Sequence, residues 1–263
     1  MDQTHTMSDY SQIARESRLK VLDLIYKAQT SHIASNFSAA DIMAVLFEKI
    51  DLDKDIFVLS AGWKAALLYY HLWRKGRITE EELNSYCQPG SKFVGLAEPV
   101  CKDIKIAGGS MGLGLPGAVG LALAKKLKGE EGRVYVLMSD GELQCGTTWE
   151  SIQIAAQHKL DNLTVLIDEN GLQAMGETQN ILKTYFPCGG HWDYSYPDGH
   201  DFKQLENALR EDWVRYPEKP RVITCKTIKG KGVSFMENNN IWHYKSPNEE
   251  EYLEAKQELE RNN

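Results

Sequence analysis

Apolar residues recur along this chain at helical spacing in some stretches and cluster into short runs in others, and the switches between the two patterns mark its elements. Ile13, Val21, Leu22, Leu24 and Ile25 fall roughly at helical spacing and predict a helix over about 10–29. Ser38-Ala-Ala-Asp41 resembles a capping box and predicts that the helix AADIMAVLFEKI opens there. Ile56-Phe-Val-Leu59 is a short apolar run between polar and glycine residues, the mark of a buried strand, and a helix follows over roughly 63–75. Proline and glycine punctuate a loop over 87–109, after which 114–128 is rich in Ala and Leu and reads as helical. Strands are expected at 133–138, 163–167 and 221–225, a helix at about 146–158 and a charged helix at about 248–263. Strands alternating with helices imply an α/β fold, a doubly wound and mostly parallel sheet with helices on both faces. Residues about 1–9 read as a loose leader, and 1–263 as a single domain.

Composition narrows the class. The 263 residues are 42% hydrophobic and 25% charged, as in an ordinary globular protein, and are enough to bury a core without disulfides or metals. The formal net charge of −7 argues against a nucleic-acid partner, which needs a basic face. It leaves room for a phosphorylated ligand, since a few oriented N–H groups dominate locally. The five cysteines, Cys87, Cys101, Cys145, Cys188 and Cys225, are scattered and show no metal spacing, which fits reduced thiols in a cytoplasmic protein. The polar start lacks the apolar core of a signal peptide, and no run approaches the length of a membrane span.

Two polar clusters directly follow strands: Ser139-Asp140-Gly141-Glu142 and Asp168-Glu169-Asn170-Gly171. Ligands of doubly wound sheets bind at the carboxyl ends of strands. The spacing, 170 − 140 = 30 residues, is that of one β-α-β unit, so consecutive parallel strands would bring Asp140 and Asn170 to one edge where they can share an ion. Their oxygens are hard ligands suited to Mg²⁺ or Ca²⁺, and two of them suffice only for an ion also held by phosphate and water. Gly141 allows close approach of backbone to phosphate. Either DG or NG alone is an ordinary turn dipeptide; their pairing at two strand ends is the informative feature.

The segment SDGELQCGTTWESIQIAAQHKLDNLTVLIDENGLQAMG resembles the thiamine diphosphate motif of transketolases, which runs from GDG to a terminal Asn. Further stretches match in order: Ser31-His32…Ser38-Ala-Ala-Asp41, the glycine-rich Gly108–Pro116, Asp198-Gly-His-Asp201, Lys226-Thr-Ile-Lys-Gly-Lys-Gly-Val233 and Trp242-His243. The resemblance covers about residues 10–250 and implies the diphosphate-binding (PP-type) domain of the thiamine-diphosphate fold.

Carried over position by position, it implies Mg²⁺ ligands at Asp140, Asn170 and the Leu172 carbonyl, with Ca²⁺ or Mn²⁺ as substitutes. Gly141 would donate its N–H to a phosphate, Glu142 belongs to the cofactor-binding stretch, and Gly109 and Met111 would lie against the thiamine rings. Met111 alone would also read as a core methionine at a helix start. His32 and His243 match histidines facing the diphosphate and the reacting carbonyl, where an imidazole serves as donor and proton carrier. His200 is expected to hold a loop; His71, His158 and His191 carry no special case. The implied reaction transfers a two-carbon ketol unit from a ketose-type donor to an aldehyde. The glutamate that contacts the pyrimidine belongs to a second domain, so a partner chain would supply it, in an α₂β₂ assembly.

Three positions depart from the family pattern. Its S-K-G-H stretch reads Ser60-Ala61-Gly62-Trp63 here, and its G-H-P-E reads Gly95-Leu96-Ala97-Glu98. Both lost histidines line the family's donor-sugar channel, so Trp63 and Leu96 imply a more apolar pocket that favours a modified sugar or a small keto acid over a hydroxyl-rich ketose phosphate. Cys145 replaces a common acidic residue of the network between paired sites, while Glu150 keeps the second acidic position. Two other readings stand beside the transketolase one: a thiamine-dependent lyase or acyl transferase, and a non-catalytic scaffold. A Rossmann dehydrogenase is disfavoured, because GGSMGLG does not open the first β-α unit.

Overall fold

The computed structural model describes residues 7–178, 190–210 and 218–261. Residues 1–6 of the expected leader, Cys188 and the last two residues of the expected terminal helix lie outside them.

The chain opens with two helices, α1 (Met7–Ala28) and α2 (Ile33–Lys49), followed by strand β1 (Ile56–Leu59). A 3₁₀ turn (Gly62–Lys64) leads into α3 (Ala65–Arg74), and α4 (Glu80–Asn84) and α5 (Gly114–Lys128) follow. Next come β2 (Val134–Ser139), a 3₁₀ turn (Asp140–Gln144), α6 (Gly146–Gln157) and β3 (Leu163–Glu169). A two-stranded hairpin, β4 (Leu172–Gln173) and β5 (Gly176–Glu177), precedes β6 (Asp193–Ser195), α7 (Phe202–Ala208) and β7 (Arg221–Lys226). A last 3₁₀ turn (Asn240–His243) leads to α8 (Glu249–Arg261).

The main sheet has the order β1-β2-β3-β7-β6, and every pairing in it is parallel. Side chains of these strands alternate between two cores, as a pleat of period two requires. Phe57, Leu59, Tyr135, Leu137, Leu166, Ile223 and Cys225 face the core built with α1, α2, α3, α7 and α8. Val58, Val134, Val136, Met138, Val165, Ile167 and Val222 face the core built with α5 and α6. Helices on both faces explain why the strands read as unbroken apolar runs.

Two sequence expectations need correction. Helix α2 begins at Ile33 and not at Ser38; His32 is its N-cap, with a left-handed backbone (φ 70°). Ser38 and Asp41 are polar for tertiary reasons. The Ser38 hydroxyl contacts the Asp168 carboxylate at 2.6 Å, and Asp41 receives both terminal nitrogens of Arg18 at 2.8 and 2.7 Å. The expected leader is also shorter than 1–9, since Met7, Ser8 and Asp9 already belong to α1.

The loop over 87–109 is fixed by close backbone contact. A Cβ on Gly62 would sit 0.8 Å from the Gly108 carbonyl oxygen, so only glycine permits the crossing. Ala97 N donates to Gly62 O at 3.0 Å and Gly108 N to Ala97 O at 2.7 Å, tying three separate stretches of chain together.

Candidate functional site

The carboxyl ends of β2 and β3 open into a cavity of about 300 Å³. His32, Gly109, Met111, Asp140, Gly141, Asn170, Leu172 and His243 all line it, as do Trp63 and Leu96. Residues from seven segments therefore converge, and the sheet register explains the centre: Ser139 pairs with Asp168, which brings the two polar clusters side by side. Gly171 N donates to Asp140 Oδ2 at 2.7 Å, and the Thr178 hydroxyl reaches the same oxygen at 3.0 Å. Gly141 N donates to Asp140 Oδ1 at 2.9 Å. Asn170 turns its oxygen to Leu172 N at 3.1 Å and its amide nitrogen to Asp168 Oδ2 at 3.2 Å.

Asp140 is a buried carboxylate, and burial followed by the charge of Asp168 pushes its pKa up to about 6. A carboxylate held this way gains from a bound cation. Among the described residues no cluster of three or more His, Cys, Asp or Glu could hold a metal alone. Asp140 with Asn170 and the Leu172 carbonyl is thus a sparse oxygen set, suited to an ion that brings phosphate and water as its other ligands. The cavity residues fit a magnesium diphosphate group.

Glu142 does not line the cavity. It lies fully buried beneath it, and its carboxylate accepts hydrogen bonds from the Ser60 hydroxyl, from Ser139 N at 2.8 Å and from Gly112 N at 3.2 Å. It pins the Ser139–Gly141 turn, the Ser60 turn and the glycine-rich loop to one another. Met111 is no core methionine: it is 41% exposed and its Cε would lie 3.3 Å from a Cβ on Gly141.

His32 and His243 meet at the wall of the cavity with ring centroids 5.1 Å apart. His32 N donates to the His243 carbonyl at 3.0 Å, and the Ser31 hydroxyl is 2.7 Å from His32 Nδ1. Burial, with Lys64 and Lys229 nearby, pulls the His32 pKa down to about 4. Burial, then Lys229, His32 and Lys64, pulls that of His243 down to about 3. Both rings are therefore neutral at pH 7. His200 sits elsewhere, in a structural network: its Nδ1 is 2.6 Å from Asp41 Oδ2 and its Nε2 accepts from Ile228 N at 2.9 Å.

Three residues of the site carried no role in the sequence reading. Lys229 donates to the Leu172 carbonyl at 3.3 Å and approaches His243 Nδ1 at 2.7 Å. Burial and then Lys64 lower its pKa to about 8. Lys64 is fully buried against Asp168 at 2.9 Å. Tyr244 lines the cavity, its ring centroid 5.3 Å from His32 and 4.7 Å from His243. Lys229 lay inside a matched stretch, and Lys64 stood alone in the apolar run Gly62-Trp-Lys-Ala-Ala-Leu-Leu68; that isolation was the available signal.

Residues 10–262 match the family model described as "Transketolase, thiamine diphosphate binding domain". An apulose-4-phosphate transketolase subunit from Actinobacillus succinogenes is 35% identical, with 87% of this chain and 87% of that protein covered. A 6-deoxy-6-sulfo-D-fructose transketolase subunit from a Clostridium species is 31% identical, with 96% and 97% covered. The crystal structure of transketolase from Campylobacter jejuni superposes with a TM-score of 0.89 at 29% identity, over 97% of this chain but only 43% of that one. The chain belongs to the transketolase family, as a member built on its thiamine diphosphate binding domain.

Proposed function

We propose that this chain is the thiamine-diphosphate- and Mg²⁺-binding subunit of a split transketolase, transferring a two-carbon ketol unit from a ketose-type donor to an aldehyde. The observation that carries this reading is the convergence of Asp140, Gly141, Asn170, Leu172, His32 and His243 on one cavity at the carboxyl edge of β2 and β3. Asp140, Asn170 and the Leu172 carbonyl would hold Mg²⁺, and Gly141 would meet a phosphate. When bound, thiamine diphosphate supplies the carbanion that cleaves and forms the C–C bond. Around it, the neutral imidazoles of His32 and His243 would hydrogen-bond and orient the reacting oxygen, and Lys229 fixes the His243 ring through Nδ1. Gly109 and Met111 would bear on the thiamine rings.

The pyrimidine-contacting glutamate would come from a second chain, in an α₂β₂ assembly. Both subunit relatives match this chain over nearly their full length, and the larger transketolase over less than half of its own. Exposed Met111, Leu113, Met175, Ile241 and Tyr244 offer apolar surface for such a partner, three of them at the cavity itself. Native mass spectrometry of the protein purified from its own cells in Mg²⁺ tests this directly. A heteromer carrying thiamine diphosphate is expected; a lone chain that binds no cofactor even after mixing with candidate partners would favour a non-catalytic scaffold.

A second reading concerns the donor. Trp63, Leu96 and Tyr244 line the cavity beside the two histidines, an apolar and aromatic wall poor in donors for sugar hydroxyls. The two relatives are named for different sugars, apulose 4-phosphate and 6-deoxy-6-sulfo-D-fructose, so a derivatised sugar or a keto acid fits this chain better than xylulose 5-phosphate. Donor profiling of the complex decides it, and CO₂ release would mark the keto-acid case. Turnover of xylulose 5-phosphate at ordinary KM would remove this reading.

A further inference from the structure

Lys64 is an ammonium with no exposed surface at the floor of the cavity. Its ion-pair partner is Asp168, with Nζ 2.9 Å from Oδ2 and the side chains of both fully buried. Asp168 is already crowded. Oδ2 also takes the Ser38 hydroxyl at 2.6 Å and Asn170 Nδ2 at 3.2 Å, and Oδ1 takes the Thr227 hydroxyl. The contact with Lys64 engages at most one of its N–H groups, and no other hydrogen-bond partner of Lys64 Nζ lies among the described residues. An ammonium carries three donors, and leaving them unmade in a buried place is costly. Such a group persists where something else completes it.

Position says what that is. Lys64 closes the 3₁₀ turn Gly62–Lys64, and its backbone N is held by Ala61 O at 2.9 Å. Asp168, its ion-pair partner, is hydrogen-bonded to Asn170, so Nζ stands at the metal end of the cavity and not among the exposed Leu96, Met175 and Tyr244. Lys229 adds a second cation nearby. Together with a divalent ion on Asp140, these two lysines outweigh the carboxylates Asp140 and Asp168, an excess that a polyanion neutralises.

We propose that Lys64 is an anion-binding residue of this cavity, its unmade N–H groups taking a terminal phosphate oxygen of the bound diphosphate while Asp168 positions the ammonium. The inference rests on the cofactor reading above and adds a ligand that the matched motifs do not contain, because the S-K-G-H stretch places its lysine where this chain has Ala61.

The test is calorimetry on the full chain with its partner in Mg²⁺, using thiamine diphosphate, inorganic pyrophosphate, thiamine and fructose 6-phosphate as separate probes. Lys64→Met is expected to weaken thiamine diphosphate and pyrophosphate roughly 10- to 100-fold, to leave thiamine unchanged, and to lower the salt dependence of binding. Lys64→Met strands a buried carboxylate, so Lys64→Met/Asp168→Asn, which removes both charges, is measured beside it with thermal unfolding as the control. A folded double variant that binds pyrophosphate as tightly as the wild type would overturn the proposal and leave Lys64 as the counter-ion of Asp168 alone. A Lys64-dependent change confined to fructose 6-phosphate would also overturn it, assigning the lysine to a substrate phosphate. If the wild-type complex binds pyrophosphate through Lys64 but not thiamine diphosphate, the anion site stands and the cofactor reading falls; if it binds neither, both fall.

Discussion

At the scale of single residues, burial controls the protonation of His32, His71 and His243 more than their neighbours do. His71 is the clearest case. It is 1% exposed, stacks on Phe47 with centroids 4.8 Å apart, and its Nε2 has no hydrogen-bond partner among the described residues. Burial, with Arg74 and Lys75 nearby, lowers its pKa to about 3. The unfolded chain therefore takes up a proton at this residue below about pH 6.5 that the folded chain refuses, and stability falls as pH drops toward 3, by about 1.4 kcal/mol per pH unit for one such group. His71→Phe is expected to flatten the fall in melting temperature between pH 6.5 and 4.5, measured by calorimetric scanning. An unchanged slope would show that another group carries it. In the cavity, Asp140→Ala is expected to weaken Mg²⁺-dependent thiamine diphosphate binding by on the order of 100-fold while the fold persists, checked by titration with circular dichroism as control.

Residue identity was legible where the chemistry demands a type at a spacing. Asp140 and Asn170, one β-α-β unit apart, stand together at the sheet edge, and His32 and His243 share the cavity with them. Roles that depend on what lies underneath were not legible. Glu142 belongs to the stretch that the resemblance assigns to cofactor binding, yet its carboxylate oxygens are spent on Ser60, Ser139 and Gly112. Lys64 drew no attention beside Trp63, because only the fold shows that a lysine in an apolar run ends fully buried against Asp168.

At the scale of elements, the strands were readable because helices cover both faces and leave apolar runs of several residues. The hairpin β4–β5 and strand β6 were not, since two or three residues carry no period. The misplaced start of α2 has a physical cause. Ser38 and Asp41 mimic a cap, but they are internal polar residues satisfied by Asp168 and by Arg18 with His200. Burial works to raise the Asp41 pKa, yet Arg18 and the hydrogen bond from His200 hold it down to about 2. Removing Arg18 leaves that charge uncompensated, so Arg18→Met is expected to destabilise the fold by about 3–5 kcal/mol in urea titrations. Gly62→Ala is expected to be worse tolerated, because its Cβ would overlap the Gly108 carbonyl and push the glycine-rich loop off the site. Loss of cofactor binding together with loss of stability is the anticipated result.

At the scale of the whole molecule, the fold superposes closely on the larger transketolase while the chain spans under half of that protein. The exposed apolar residues near the cavity, proposed above as the partner-facing surface, are where a test of assembly belongs. Ile241 is 67% exposed and does not line the cavity. Ile241→Glu is expected to leave the melting temperature within about 1 °C, as surface changes usually do, and to weaken co-purification of the partner at least tenfold. Leu127→Glu, on the 79% exposed far end of α5, is the control expected to change neither.

The bond from His32 N to the His243 carbonyl joins points 243 − 32 = 211 residues apart, and it steadies a left-handed histidine at the head of α2. All of those intervening residues must therefore be made before the site can close. The sheet strands emerge first and can pair, but the first histidine waits for the last 3₁₀ turn to fix it. Proteolytic nicking between β7 and Asn240 would thus leave a folded sheet with an open active edge, and cofactor would protect this linkage by joining both ends. This link is a clasp fastened late, and limited digestion with and without thiamine diphosphate would show it fastened or loose.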